Sequence, residues 1–220
     1  DIGCGHGRLF PVINKYSKKI IGIDISDSVL QAAKKNTNYS ALIIGQGENY
    51  HLASNFADFV IAWAVFDVME QEKALSEANR VLKDEGFFLV TGKNNSYHED
   101  DEEAFLAERN AKLKNFPNHF TDTYGLIKNI DRFGFDVISA IGFGRRGDFN
   151  KNNFVNLLTK KPDEYYEFLL ILKKVRTINN ETPKICNQYS KNALNMSNGK
   201  GFKNVYKFFE WHKSKFGEKL

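Results

Sequence analysis

Cysteine is nearly absent from this chain: Cys4 and Cys186 are the only two in 220 residues. Two cysteines cannot build a disulfide framework or a cysteine-rich metal site. The five histidines, His6, His51, His98, His119 and His212, show neither i,i+4 pairing nor a Cys/His grouping at ligand spacing, so no metal is expected. No apolar run reaches the roughly 18 residues that a membrane span requires. No signal-peptide pattern is present, and no segment repeats or is of low complexity. These absences lead to the expectation of a soluble, cytoplasmic protein in a reducing compartment. What is there is 42% hydrophobic, enough for one globular domain with an appendage.

The net charge of +4 conceals an asymmetry. Residues 151–220 hold 14 Lys and Arg against 6 Asp and Glu, whereas residues 1–150 hold 17 against 21. An acidic first part and a basic tail present two kinds of surface.

Strand-like and helix-like stretches alternate through most of the chain. "KKIIGIDIS" (18–26) reads as a buried strand ending in Asp24. "SDSVLQAAKKN" (26–36) carries an N-cap serine, an early acid and late lysines, which are helix start and stop signals. "SALIIG" (40–45), "ADFVIAWAVF" (57–66) and "FFLVTG" (87–92) read as further strands. Between the last two, Ala74, Leu75, Ala78, Val81 and Leu82 share one helical face, and Gly86 is expected to close the turn. Strands separated by helices of this length predict βαβ units and a parallel sheet. Helices are expected at 98–116 and 121–135. "FDVISAIGF" (135–143) and "NFVNLLTKK" (153–161) read as an antiparallel hairpin. After Pro162, "DEYYEFLLILKKVRTI" and "FKNVYKFFEWHKSKF" read as two helices flanking a polar loop.

The opening "DIGCGHG" places Gly3, Gly5 and Gly7 where a strand turns into a helix expected to begin near Arg8. Glycine there tolerates a left-handed backbone and lets a ligand approach the main chain. Exposed N–H groups at a helix start also favour a negative group, as at nucleotide sites of doubly wound sheets. The dinucleotide pattern G-x-G-x-x-G needs a glycine at position 8, where Arg8 stands. Nicotinamide and flavin ligands therefore fit poorly. An acid before the glycines suits a ligand with a positive end, and Asp24, at the end of the next strand, can accept from ribose hydroxyls.

With "GIDIS", "IIGQGENYHL", "ADFVIAWAVFDVM" and "KALSEANRVLKDEGFFLV" following in that order, residues 1 to about 160 resemble a class I S-adenosylmethionine-dependent methyltransferase of the broad type 11 group. The resemblance implies an α/β fold, a Rossmann-like doubly wound seven-stranded sheet of order 3-2-1-4-5-7-6 with its last strand antiparallel. It implies S-adenosylmethionine as cofactor. Gly3, Gly5 and Gly7 would line its methionine moiety, with Asp1 near the amino group, Asp24 on the ribose and Ile25 beside the adenine. Gln46, Gly47 and Glu48 match the segment that contacts the adenine, and Ala62 and Trp63 would border the sulfonium and methyl. Two positions depart from the family: Gln46 stands where aspartate is usual, and Asp84-Glu85-Gly86 replaces a Pro-Gly-Gly turn. Most of strand one would lie before Asp1, so the sequence reads as part of a longer protein.

This reading divides the chain into a cofactor-binding domain at 1–161 and a basic, aromatic-rich helical extension at 162–220. Its stripes (Phe168, Leu169 and Leu172; Phe202, Val205, Phe208 and Phe209) are expected to cover the carboxyl edge of the sheet and shape the acceptor pocket. His98 is a candidate general base; the alternative is a loop histidine capping the next helix. "HEDDEE" (98–103) either stabilises a helix N-terminus or receives a cationic substrate. The expected enzyme moves a methyl group to O or N of a small or medium-sized acceptor, with a sugar-containing or anionic one suiting the basic tail. An RNA base methyltransferase and a non-catalytic cofactor-binding module are the alternatives.

Overall fold

The computed structural model describes residues 1–178, apart from 18, 116 and 152. Residues 179–220, including Cys186, His212 and the stripe from Phe202, lie outside the described residues.

The chain opens on the glycine loop and a short helix α1 (Phe10–Ile13), followed by strand β1 (Ile21–Asp24) and helix α2 (Asp27–Asn36). Ser26 caps α2 by accepting from the Val29 N–H, while Asp27 opens the helix and Lys34 and Lys35 close it, each charge complementing the helix dipole. Strands β2 (Ala41–Ile44) and β3 (Ala57–Ala62) come next, then helix α3 (Gln71–Val81) and the long strand β4 (Leu82–Lys93). Ala74, Leu75, Ala78 and Val81 are the buried stripe of α3, as their spacing predicts. Leu82 is already the first residue of β4, and Glu85, not Gly86, takes the left-handed backbone with φ 66°. Helices α4 (Glu102–Leu113) and α5 (Thr123–Asn129) follow, and a 3-10 turn ends at Gly134, whose φ of 75° caps it.

Strand β5 (Phe135–Phe143), a one-turn helix α6 (Asp148–Lys151), the two-residue strand β6 (Val155–Asn156) and strand β7 (Glu167–Lys174) complete the described elements. Here the structure corrects two expectations. The hairpin partner at 153–161 contributes only Val155 and Asn156 to the sheet. The segment expected as the first helix of the extension is β7, which lies between β4 and β5 and runs antiparallel to both. Its run of apolar residues misled the helical reading because each face of the sheet is covered. Phe168, Leu170 and Leu172 enter one core cluster with Phe66, Leu75 and Phe88; Leu169 and Ile171 enter the opposite one with Leu9, Val12 and Ile61. A strand buried on both faces shows no alternation, and so is not told from a buried helix by periodicity.

β1 pairs with β2 and β3 with β4, each in parallel. Ile2 joins the two sheets by parallel bridges to Ile23 and Ala62. Its N–H donates to the Ile61 carbonyl at 2.8 Å, while the Asp1 carbonyl accepts from Ile23 N–H at 2.9 Å. The result is a mixed α/β architecture whose central sheet is mostly parallel. No helix among the described residues is long and apolar enough to cross a membrane.

Candidate functional site

The carboxyl ends of β1 and β3 meet at the glycine loop. Gly3, Gly5 and Gly7 all adopt left-handed backbone, with φ of 65°, 55° and 82°, so an L-side chain at any of them is strained. The three glycines nevertheless differ in what surrounds them. A Cβ on Gly3 would lie 2.5 Å from Val65 Cγ1, and one on Gly7 2.4 Å from Thr37 Cγ2. At Gly5 nothing lies within 4 Å of that position. Gly3 and Gly7 thus let the chain pack on itself, whereas Gly5 leaves its backbone open on the side away from the protein.

Asp24, the last residue of β1, anchors this loop. Its Oδ2 accepts from the Gly5 N–H and its Oδ1 from the Ser26 N–H, both at 3.0 Å. A carboxylate has about four acceptor positions, so roughly two remain for a ligand. Ile25 follows, half-buried. Cys4 is buried beneath the loop, and that burial, reinforced by the Asp24 charge, pushes its thiol up to about 12. It is a packing residue and not a nucleophile at neutral pH.

The segment after β2 approaches the same edge. Gly45 N–H donates to the Asp24 carbonyl at 3.1 Å, and Gln46 and Asn49 exchange backbone hydrogen bonds that close a tight turn. Gly47 is required by Met69, whose Sδ would sit 2.3 Å from a Cβ there. Glu48 turns to α3, where its carboxylate accepts from the Glu70 N–H at 2.6 Å. Burial raises its pKa above the usual glutamate value. Behind the turn, buried Glu77 accepts from Tyr50 N–H at 2.7 Å and from Arg80 Nε and Nη2, each at 2.7 Å. Glu77→Ala would leave the Tyr50 N–H and Arg80 Nε without their acceptor, while the Leu52 carbonyl and Ser54 still hold the rest of the guanidinium, and we expect it to lower stability by about 2–3 kcal/mol in chemical denaturation; an unchanged midpoint would show that water replaces the carboxylate without loss.

Ala62 is fully buried at the end of β3, and Trp63 beside it packs edge-on against Phe149 with centroids 5.2 Å apart. Asp1 sits at the same edge, with its carboxylate taking the Tyr39 hydroxyl. His98 lies on the segment before α4, paired through Nδ1 with Glu164 at 2.8 Å in a half-exposed contact. The cap of α4 is Asp101, which accepts from Ala104 N–H at 3.0 Å. The structure therefore gathers Asp1, Gly3, Gly5, Gly7, Asp24, Ile25, Gln46, Gly47, Ala62 and Trp63 at one edge, with Glu48 turned aside. Sequence reasoning missed Val65, Thr37 and Tyr39, which fit the loop from behind; no spacing rule connects them to it.

The open backbone at Gly5 beside a carboxylate with spare acceptor capacity fits an adenosine cofactor with a positively charged end. Comparison with known proteins agrees. Residues 1–90 match the family model described as methyltransferase domain. A ubiquinone/menaquinone biosynthesis C-methyltransferase of Campylobacter jejuni is 34% identical over 98 residues, covering 41% of this chain and 42% of that protein. A probable S-adenosylmethionine-dependent methyltransferase of Saccharomyces cerevisiae is 32% identical over 95 residues, covering 40% and 33%. The matched stretch thus spans about a third to two-fifths of these curated relatives. Among solved structures, a Mesorhizobium loti S-adenosylmethionine-dependent methyltransferase aligns with a TM-score of 0.61 at 15% identity, over 79% of this chain and 89% of that one. A Thermotoga maritima methyltransferase described as a possible histamine N-methyltransferase aligns at 0.55 and 22% identity, over 80% of each chain.

Fold and glycine loop together define a Rossmann-like α/β architecture, the fold of the methyltransferase structures that align with it. Over residues 1–90 the chain is similar to the methyltransferase domain family, and the relatives and structures it resembles include S-adenosylmethionine-dependent methyltransferases.

Proposed function

We propose that the protein transfers a methyl group from S-adenosylmethionine to an oxygen or nitrogen of a small or medium-sized acceptor. The observation that carries this reading is the left-handed loop left open at Gly5 and tied to Asp24 at the carboxyl edge of the sheet. In this reading Asp24 takes the ribose hydroxyls, with Ile25 and the Gln46–Gly47 turn beside the adenine. Gly3, Gly5 and Gly7 shape the methionine cradle, Asp1 lies toward its amino end, and Ala62 and Trp63 border the reacting centre. When bound, the cofactor supplies an electrophilic methyl group on a sulfonium. The residues of the chain align and desolvate the two partners, and that alignment is the main source of rate for such a transfer.

The test is calorimetry of the protein with S-adenosylhomocysteine, followed by transfer of radiolabelled methyl to a panel of amines and hydroxyl compounds. Saturable binding and transfer to one class are the expected result. Absence of binding would overturn the reading, and binding without transfer to any acceptor would turn it into a module that holds the cofactor without turnover.

A further inference from the structure

Charged side chains crowd the carboxyl end of β4 and the start of β7. Lys93 Nζ lies 2.9 Å from Asp67 and 3.0 Å from Glu108, and donates to Asn118 at 2.8 Å. Burial opposes that ammonium charge, but the two carboxylates more than offset it and hold Lys93 above the ordinary lysine value. Glu108 also accepts from the Tyr166 hydroxyl and the Asn118 amide. Asp101 accepts from the Ala104 N–H and, at 2.7 Å, from the Arg146 N–H. Arg146 Nη1 donates to the Tyr166 oxygen at 3.0 Å. Glu167 stands in register between Lys93 and Phe143, half-buried, and no described residue donates a hydrogen bond to its carboxylate.

Glu167 lies on the face of the sheet that also carries Trp63. Side chains at alternate positions of a strand share a face, so Glu167 lies on the side of Leu169, across from Lys93 and, two residues back, Thr91. Thr91 Oγ1 accepts from Ala64 N–H at 2.8 Å, which ties the residue after Trp63 to this face. Phe143, directly opposite Glu167, packs on Phe149 with centroids 4.9 Å apart, and Phe149 packs on Trp63. A carboxylate that no described residue hydrogen-bonds, beside a group of aromatic rings, suits an ammonium ion.

We propose that Glu167 receives the methyl acceptor and takes its proton, and that the acceptor is a protonated amine. This rests on the methyltransferase reading above and narrows it from oxygen or nitrogen to nitrogen. Four carboxylates (Asp67, Asp101, Glu108 and Glu167) stand against two cations (Lys93 and Arg146) in the cluster. A cationic acceptor reduces that excess, and an anionic one adds to it. An ammonium nitrogen has no lone pair and must lose a proton before it attacks. Burial pushes the Glu167 carboxyl up to about 7, with Arg146 and Lys93 opposing the rise and Asp67 and Asp101 adding to it. It is therefore able both to hold the charge and to accept a proton near neutral pH. The freed nitrogen lone pair forms the bond to the methyl carbon while the sulfur keeps the electrons of the bond that breaks. The product leaves as a methylated ammonium, and Glu167 returns its proton to water.

The test uses the whole chain labelled with carbon-13 at its glutamate carboxyls and saturated with S-adenosylhomocysteine, with benzylamine and benzyl alcohol as probes. One glutamate resonance should titrate near pH 7 and vanish in Glu167→Gln. Benzylamine should shift that resonance while benzyl alcohol does not, and Glu167→Gln should bind benzylamine about tenfold more weakly. A Glu167 resonance that benzylamine leaves in place, or equal affinity in the variant, overturns the amine assignment while cofactor binding stands. If S-adenosylhomocysteine itself does not bind, the methyltransferase reading falls and this inference with it.

Discussion

Asp24→Ala is expected to weaken S-adenosylmethionine binding by about 2–3 kcal/mol, close to two orders of magnitude in affinity. The carboxylate has two tasks at the end of β1. It holds the loop by accepting from Gly5 and Ser26 N–H groups, and in the proposed function it offers its remaining lone pairs to the ribose. Alanine removes both. Asp24→Asn separates them, because the amide oxygen still accepts from one backbone N–H while the formal charge is gone. We expect an intermediate loss for asparagine, and no loss for Asp27→Ala, an exposed substitution in the first turn of α2. Calorimetry on the three variants checks the order. Equal affinity of Asp24→Ala and the parent protein would remove Asp24 from the site.

Alanine at Gly5 and at Gly7 should fail in different ways. At Gly7 the left-handed backbone costs about 1–2 kcal/mol for any L-residue, and the Cβ would also meet Thr37 Cγ2 at 2.4 Å. Overpacking of that kind adds about 1–3 kcal/mol, so Gly7→Ala should lose most of its effect in stability. Gly5→Ala carries the backbone cost alone, since its Cβ meets nothing within 4 Å. It should remain folded, with a modestly lower denaturation midpoint, and lose cofactor affinity by about tenfold or more because the methyl group occupies the ligand's approach. Thermal denaturation together with calorimetry separates the two variants. A Gly5→Ala protein with full affinity would show that the open side of the loop faces bulk water and not the cofactor.

The sequence by itself determined the order of elements from Ile21 to Lys93, the left-handed glycine loop and the place of Asp24. Each of these is local: a β-branched apolar run, a capped amphipathic helix, or a residue type whose backbone preference shows in its own position. Gly134 as a helix stop was legible for the same reason. Only the tertiary structure decided the rest. Glu167–Lys174 is a strand because β4 and β5 flank it and helices cover both faces; the apolar run from Phe168 to Leu172 is compatible with either state until those neighbours exist. The reasons for the glycines were divided in the same way. Their conformations were legible, but Val65 against Gly3, Thr37 against Gly7 and Met69 against Gly47 come from distant segments. Glu167 was invisible as a site residue because its meaning depends on Lys93 and Phe143 lying beside it in the sheet, contacts made across 74 and 24 residues of chain. Local propensity is written in neighbouring residues, whereas the charge and shape of a site arise from side chains that only folding brings together.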